Sequence, residues 1–247
     1  MKDTRIIMGM HITVEIVGKR VTSKIFEEIF SYFIAVDKQF STYKADSEIM
    51  RINRREISKA NYSLEMREIF SLAEKTRRET YGYFNIKKPN GTLDPSGIVK
   101  GWAIQNATKI LLKKGYRNFY IDAGGDVQSN GLNAKGGEWS IGIRNPFKIQ
   151  EIIKVLHVKE KGIATSGSYI RGQHIYNPHV PEKELLDVVS MTVIGSDILE
   201  ADRFATAAFA MGKEGINFIE QLPGFEGYAI DSTGMATFTS NFELYTK

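Results

Sequence analysis

Hydrophobic and polar positions change their period along the chain, and this change predicts the first two elements. Met10, Ile12, Val14 and Ile16 alternate with polar residues, which is the pattern of a strand with one buried face. From Ser23 onward the apolar positions recur every three or four residues instead. This spacing predicts an amphipathic helix over residues 23–39.

The same criteria predict two further helices in the first half of the chain. One covers residues 63–78, and its expected inward positions are Leu64, Ile69, Leu72 and Ala73. The other begins near Gly97, after a stretch rich in turn-forming residues, and ends around residue 114. Residues 43–47 are expected to form a loop.

The second half of the chain changes to short strands separated by turns. The predicted strands cover residues 119–122, 139–143, 152–158, 162–165 and 188–194. Two helices and a hairpin, with its turn at residues 231–234, then close the chain. Without an internal repeat or a clear linker, we expect one α+β domain over residues 1–247, with two lobes and mixed or antiparallel sheets flanked by helices.

Composition limits the range of functions. The 247 residues include 33 Lys and Arg against 29 Asp and Glu, and this net charge of +4 is too small to indicate a nucleic-acid surface. The absence of cysteine excludes disulfides, thiolate metal sites and a cysteine nucleophile. No apolar run approaches the roughly 18 residues that span a bilayer, and the first residues resemble no signal peptide. We therefore expect no membrane span and a cytoplasmic protein.

Asp202 and Thr206 are the clearest candidates for a metal site. They stand at positions i and i+4 of a predicted helix, so their side chains project from one face towards one point. Two oxygen donors suit Mg²⁺, which completes its octahedron with waters and substrate phosphates. The alternative is a purely structural role: Asp202 would be a partner in a helix cap, and the Thr206 hydroxyl would bond to the backbone of its own helix.

Two further segments are candidates for phosphate contacts. In Asp122-Ala-Gly-Gly-Asp126 the glycines Gly124 and Gly125 would let the backbone approach a pyrophosphate, although a tight turn between strands explains them equally well. Lys100, near a helix start, could reach a phosphate or the carboxylate of Asp94, or be a surface lysine. The chain has no Walker pattern, and residues 127–131 read as a strand rather than the helix of a dinucleotide-binding fold.

Histidine and serine supply the remaining candidates. His174 and His179 are close in sequence and could form a zinc pair, but no cysteine or His-Glu-x-x-His pattern supports zinc. We favour His174 alone, as a group that transfers a proton or contacts a phosphate. Ser166 lacks the glycine-flanked elbow of a nucleophile, so hydrogen bonding to a ligand is the better interpretation.

Taken in order, these segments resemble the FAD:protein FMN transferases, also called ApbE-type flavin transferases. The resemblance covers most of the chain, and seven short motifs occur in the family's order. They are Met8-Gly-Met10, Phe40-Ser-Thr-Tyr43, Asp94-Pro-Ser-Gly-Ile-Val-Lys-Gly101, Ala123-Gly-Gly-Asp126, Ala164-Thr-Ser-Gly167, His174-Ile-Tyr-Asn-Pro178 and Ala201-Asp202 with Thr206.

This resemblance implies an enzyme that uses Mg²⁺ and FAD to attach FMN, through its phosphate, to a Thr or Ser hydroxyl of a partner flavoprotein, releasing AMP. It implies an acceptor motif of the type Asp-x-x-Ser/Thr-Gly-Ala-Ser/Thr. Asp202, Thr206 and the main-chain oxygen of Gly97 would hold the metal, and His174 would be the base. The residues implied for the flavin nucleotide are Met8, Tyr43, Asp94, Lys100, Gly124, Gly125, Thr165, Ser166 and Ile175.

The chain departs from the family pattern at several positions. Asn177 replaces a common Asp, His179-Val-Pro181 replaces an Arg-Thr-Gly-like continuation, Met10 replaces a Thr, and the connection between Phe84 and Asp94 is short. These changes could alter flavin selectivity or the partner surface. Two alternatives remain from the sequence alone: a Mg²⁺-dependent FAD pyrophosphatase that yields FMN and AMP, and an FAD-binding protein without catalysis.

Overall fold

The computed structural model describes residues 1–168 and 175–246, and its chain begins with an antiparallel hairpin. Strand β1 (Lys2–Ile7) pairs with strand β2 (Met10–Val17) through a turn in which Met8 and Gly9 adopt φ values of 57° and 71°. The predicted alternation of β2 is confirmed, because Ile12, Val14 and Ile16 are all fully buried. Strand β1 was not predicted.

The predicted elements occur in the predicted order with small shifts of their ends, and helix α2, Glu48–Asn53, was not predicted. The helices are α1 (Ser23–Phe40), α2 (Glu48–Asn53), α3 (Leu64–Glu79), α4 (Ser96–Lys113), α5 (Ile198–Ala210) and α6 (Gly215–Glu220). The strands are β3 (Asn118–Ala123), β4 (Asp126–Asn130), β5 (Trp139–Arg144), β6 (Ile152–Val158), β7 (Gly162–Gly167), β8 (Val188–Gly195), β9 (Glu226–Asp231) and β10 (Ala236–Phe238).

Eight strands form the central sheet, in the order β1-β2-β3-β4-β7-β8-β9-β10, and β5 and β6 form a separate hairpin. Every pairing between described strands is antiparallel, so the predicted α+β class is confirmed with antiparallel sheets. In strand β4, Asp126–Asn130, the chain continues from the glycine turn as a strand, which excludes a dinucleotide-binding helix there.

Two hydrophobic cores lie on the two faces of the sheet, and alternation along the strands fills both. In β7, Ala164 belongs to the core shared with the helices, whereas the preceding Ile163 packs with Trp139 and Leu156 of the separate hairpin. Helix α5 packs on β7 and β8, and helix α4 packs on β3, β4 and α5. The helices therefore cover one face of the sheet, and the hairpin covers the other.

One predicted inward position of helix α3 is wrong. Leu64 is 78% exposed, because it is the first residue after the N-cap, where the helix has not yet reached the core. The cap is Ser63, whose hydroxyl accepts a hydrogen bond from Met66 N at 3.1 Å and donates one to Glu48 at 2.6 Å. Met66 takes the buried position instead.

Across residues 1–168 and 175–246, no helix combines the length and the apolar character needed to cross a membrane.

Candidate active site

Helices α4 and α5 approach each other closely at Gly101, and this contact brings three oxygen donors together. A Cβ atom at Gly101 would lie 2.7 Å from Asp202 Cβ and 2.9 Å from the carbonyl oxygen of Ile198, so a side chain there would force the helices apart. One turn earlier in α4, the Gly97 carbonyl oxygen lies 3.4 Å from Thr206 Oγ1. The Asp202 carboxylate, the Thr206 hydroxyl and the Gly97 carbonyl thus converge.

Asp202 is held in an environment that disfavours its charge. Its side chain is only 3% exposed, and Oδ2 accepts a hydrogen bond from Gly101 N at 2.7 Å. Burial raises the pKa of Asp202 to about 7, with a further increase from neighbouring Asp126, while the cation of Lys100 and the Gly101 N–H oppose the shift. A bound cation would relieve this cost, because it would stabilise the ionised carboxylate.

Asp126, which sequence reasoning did not single out, links three elements beside Asp202. Its Oδ2 forms an ion pair with Lys100 Nζ of α4 at 2.5 Å, and its Oδ1 accepts a hydrogen bond from Thr165 N of β7 at 3.0 Å. Asp126 is 1% exposed. Asp94, the carboxylate that we considered for Lys100, forms its ion pair with Lys88 at 2.6 Å. The sequence did contain a signal that could have identified Asp126, because this residue is the acidic end of the Gly-Gly-Asp motif.

Gly97, Lys100, Asp202 and Thr206 line a cavity of about 680 Å³, whereas Asp126 holds Lys100 from outside the lining. Ten predicted site residues line it: Asp94, Gly97, Lys100, Gly124, Gly125, Thr165, Ser166, Ile175, Asp202 and Thr206. Met8 and Tyr43 lie outside the lining; Met8 packs against the helical core from the β1–β2 turn, and Tyr43 is 97% exposed. His174 lies outside the described residues, so its role as a base stays a prediction.

Gly124 and Gly125 form the turn between β3 and β4, with φ values of 65° and 100°. Gly124 N donates to the carbonyl oxygen of His11 at 3.0 Å, and Gly125 N donates to Asp122 Oδ1 at 2.8 Å. Both N–H groups are thus bonded inside the protein, which supports the tight-turn interpretation over a cradle of free N–H groups. Gly124 and Gly125 still line the cavity, and because they carry no side chains, the cavity reaches their backbone directly.

The remaining cavity wall comes from residues that the sequence did not identify. The β1–β2 hairpin contributes Thr4, His11 and Thr13, and the available signal was the alternation of His11 and Thr13 with buried residues along β2. Asp122 and Arg144 contribute charge on the sheet side. Burial raises the pKa of Asp122, and the cation of Arg144 opposes that shift.

The donor set selects the kind of metal that this site could hold. In the described part of the chain, no three His, Cys, Asp or Glu side chains form a metal cage. Asp202, Thr206 and Gly97 instead offer one carboxylate, one hydroxyl and one carbonyl, all of them hard oxygen donors. Such a partial set suits Mg²⁺, which keeps positions for waters and phosphate oxygens.

Comparison with known proteins identifies the fold and the family. The structure superimposes on the flavin transferase ApbE from Vibrio cholerae with a TM-score of 0.86 (21% identity, 99% of this chain, 98% of that chain). It superimposes on the ApbE protein from Thermotoga maritima with a TM-score of 0.89 (20% identity, 100% of this chain, 99% of that chain). The architecture is therefore that of the ApbE flavin transferases.

The model of the ApbE family matches residues 8–88 and 86–229, and the chain belongs to this family. The FAD:protein FMN transferase of Vibrio cholerae is 32% identical over 135 residues, which cover 51% of this chain and 40% of that protein. The Escherichia coli K12 protein of the same name is 27% identical over 161 residues, which cover 62% of this chain and 46% of that protein. Both matches span less than half of the curated relative.

Proposed function

We propose that this protein transfers FMN from FAD onto a Thr or Ser hydroxyl of a partner flavoprotein and releases AMP. The observation that carries the proposal is the convergence of Asp202, Thr206 and the Gly97 carbonyl in the lining of a cavity of about 680 Å³. Family membership and the names of the curated relatives support the same activity. The cavity volume lies within the usual range for ligand sites.

Mg²⁺ fits the residues present, and we propose that Asp202, Thr206 and the Gly97 carbonyl oxygen hold it. Burial raises the pKa of Asp202 to about 7, so that its charged form is only partly populated at neutral pH, and a bound cation would favour that form. When bound, the metal would neutralise charge on the pyrophosphate oxygens. Ser166 Oγ, 3.5 Å from Thr206 Oγ1, lies where it could orient a ligand oxygen.

The transfer itself exchanges the phosphoanhydride bond of FAD for a phosphate ester bond to the acceptor. The acceptor hydroxyl oxygen forms a bond to the phosphorus of the FMN half, the bond from that phosphorus to the bridging oxygen breaks, and AMP leaves with the bridging oxygen. The hydroxyl proton must pass to a base, and His174 is our proposal for it. Lys100, which forms an ion pair with Asp126, would supply a cation to the reacting phosphates.

An AMP measurement separates this activity from its alternatives. The protein is incubated with FAD and Mg²⁺, with and without a flavin-carrier domain that bears the acceptor motif, and AMP is quantified by chromatography. Transfer predicts AMP only when the acceptor is present. AMP without acceptor would indicate an FAD pyrophosphatase, and intact FAD in both tubes would contradict catalysis.

The acceptor motif and a cytoplasmic location remain predictions. A carrier domain with Val in place of the motif's final Thr or Ser tests the first, since it should accept no FMN.

A further inference from the structure

One wall of the cavity consists of two segments that are distant in sequence. The loop of residues 81–88, after α3, contributes Tyr83 among others, and residues 175–178 contribute Ile175 and Tyr176. Neither segment belongs to a helix or to one of the ten strands. Among the described residues no backbone–backbone hydrogen bond joins the two segments, so side-chain contacts must hold them together.

His179 joins the two segments without lining the cavity itself. Its Nε2 lies 3.0 Å from the carbonyl oxygen of Tyr81, and since a carbonyl only accepts, Nε2 carries the hydrogen and donates it. The imidazole also packs edge to face on Tyr83, with ring centroids 4.6 Å apart and planes at 74°. A Cβ atom at Gly82 would lie 3.2 Å from His179 Cε1, so the imidazole sits directly against this turn.

Both sides of this contact are anchored. The Asn177 side chain accepts a hydrogen bond from His179 N at 2.9 Å, which fixes the backbone that carries the imidazole. On the other side, Gly82 N donates to the carbonyl oxygen of Arg77 at 2.8 Å, which ties the turn to the end of α3. Tyr176 OH adds a weaker contact to the carbonyl oxygen of Lys87 at 3.4 Å.

We propose that His179 is a positioning residue that latches residues 175–178 onto the loop of residues 81–88 and thereby sets the affinity of the cavity for FAD. This inference rests on the proposed function. His179 acts through Tyr83 and the backbone, and it contacts no reacting atom. The neutral Nε2–H tautomer and the protonated imidazole both donate to Tyr81, so the latch itself does not require a particular charge.

The test compares the parent protein with three variants: His179→Ala, His179→Gln and the matched control His157→Ala. His157 lies on β6 outside the cavity lining, where its Nδ1 is 3.3 Å from Ser140 Oγ. FAD binding in the presence of Mg²⁺ is measured by flavin fluorescence, and kcat and KM are measured from acceptor-dependent AMP release. Hydrogen exchange of the backbone amides is measured on the same samples without FAD.

We expect His179→Ala to weaken FAD binding about tenfold, because it removes one hydrogen bond and one ring contact. KM for FAD should rise by a similar factor, while kcat at saturating FAD and the pH profile of kcat stay unchanged. Amides of residues 81–88 should exchange faster in this variant. His179→Gln should recover most of the affinity through its amide N–H, and His157→Ala should match the parent protein.

Unchanged affinity and unchanged hydrogen exchange in His179→Ala would overturn the proposal. So would a fall in kcat at constant KM, which would indicate a direct part in the reaction. If the parent protein binds FAD but releases no AMP with acceptor, the proposed function fails, and the binding and exchange data still decide on the latch. If it binds no FAD, both proposals fail.

Discussion

Asp202 is a carboxylate placed inside a helix contact, where it is only 3% exposed. Removing a charged group from water costs free energy unless a cation or several donors compensate. Burial and the neighbouring Asp126 both raise the pKa of Asp202. At the scale of single residues, the structure thus accepts a poorly stabilised carboxylate at the point where we propose that a metal binds.

The raised pKa of Asp202 makes the free energy of unfolding depend on pH, and this dependence can be measured without substrate. In the folded protein the pKa of Asp202 is about 7, compared with an ordinary value of 3.8. Its contribution to the free energy of unfolding is therefore fully present below about pH 4 and is lost as the pH rises through about 7. The stability of the metal-free protein should therefore fall as the pH rises across this window.

Asp202→Asn removes the titrating group and keeps an acceptor for Gly101 N. The free energy of unfolding of both proteins is measured by chemical denaturation in metal-free buffer at several pH values. We expect the variant to gain stability relative to the parent as the pH rises from 4 to 7. Parallel stability profiles for the two proteins would contradict the raised pKa. Saturating Mg²⁺ should stabilise the parent and leave the variant unchanged.

Thr206→Val tests the second proposed metal donor at nearly constant shape. Because it removes the hydroxyl only, we expect Mg²⁺ affinity to fall at least about tenfold while the fold is retained. A Mg²⁺ titration of AMP release, in the presence of acceptor, measures this. The control is Thr237→Val on the exposed strand β10, which should titrate like the parent. Equal titration curves for Thr206→Val and the parent would remove Thr206 from the metal site.

Local spacing in the sequence could pair candidate residues that share one helix, but it could not show which residues meet through the tertiary fold. Asp202 and Thr206 could be paired because helical spacing alone places them on one face. Lys100 could not be assigned to Asp126, because that ion pair joins helix α4 to strand β4 across a tertiary contact. The positions of Met8 and Tyr43 outside the cavity lining were likewise invisible in local spacing.

At the scale of elements, the separation between α4 and α5 decides whether the donors meet. Gly101 sets this separation, since a Cβ atom there would lie 2.7 Å from Asp202 Cβ. Gly97 lies one turn earlier in the same helix. A Cβ atom there would lie 3.2 Å from Thr206 Cγ2, which is a tight contact. The two glycines thus allow the backbone of α4 to act as part of the site.

Gly101→Ala should therefore destabilise the protein even though alanine is the better helix former. Overpacking typically costs about 1–3 kcal/mol, and the close approach to Asp202 Cβ and to the Ile198 carbonyl oxygen places Gly101→Ala in the upper part of this range, above the gain of about 1 kcal/mol from helix propensity. We expect a lower midpoint in thermal unfolding and an FMN transfer rate reduced about tenfold or more, because the donors move apart.

Gly137→Ala is the matched control, since its new Cβ would meet nothing closer than Asn133 Nδ2 at 3.7 Å. This control should change stability by about 0.5 kcal/mol or less. A stabilised Gly101→Ala protein with full activity would show that the helix contact is not tight.

Elements were predictable where one face was clearly buried and the element was long. Helix α1 and strand β2 have such faces, and their bounds were found within a residue or two. Helix α2, Glu48–Asn53, is too short to show a helical period, and strand β1 has Ile7 as its only buried residue. Both were missed because neither displays a periodic apolar face.

At the scale of the whole molecule, the cavity lies where helices, sheet and loops meet. Its lining includes residues of the β1–β2 hairpin, the β3–β4 turn, strand β7, helices α4 and α5 and two loop segments. Thr4 and Thr206, both in this lining, are about 200 residues apart along the chain. The order of motifs could be read from the sequence, but the enclosure that they form depends on the antiparallel sheet and on the two-helix contact.

The most direct test of the proposed activity is the intact mass of a flavin-carrier domain bearing the acceptor motif, after incubation with this protein, FAD and Mg²⁺. We predict a gain of one FMN less one water, located on the Thr or Ser of the motif by fragmentation, and no gain with Asp202→Asn or with a metal chelator. An unmodified carrier in the presence of the parent protein, or equal modification by Asp202→Asn, would contradict it.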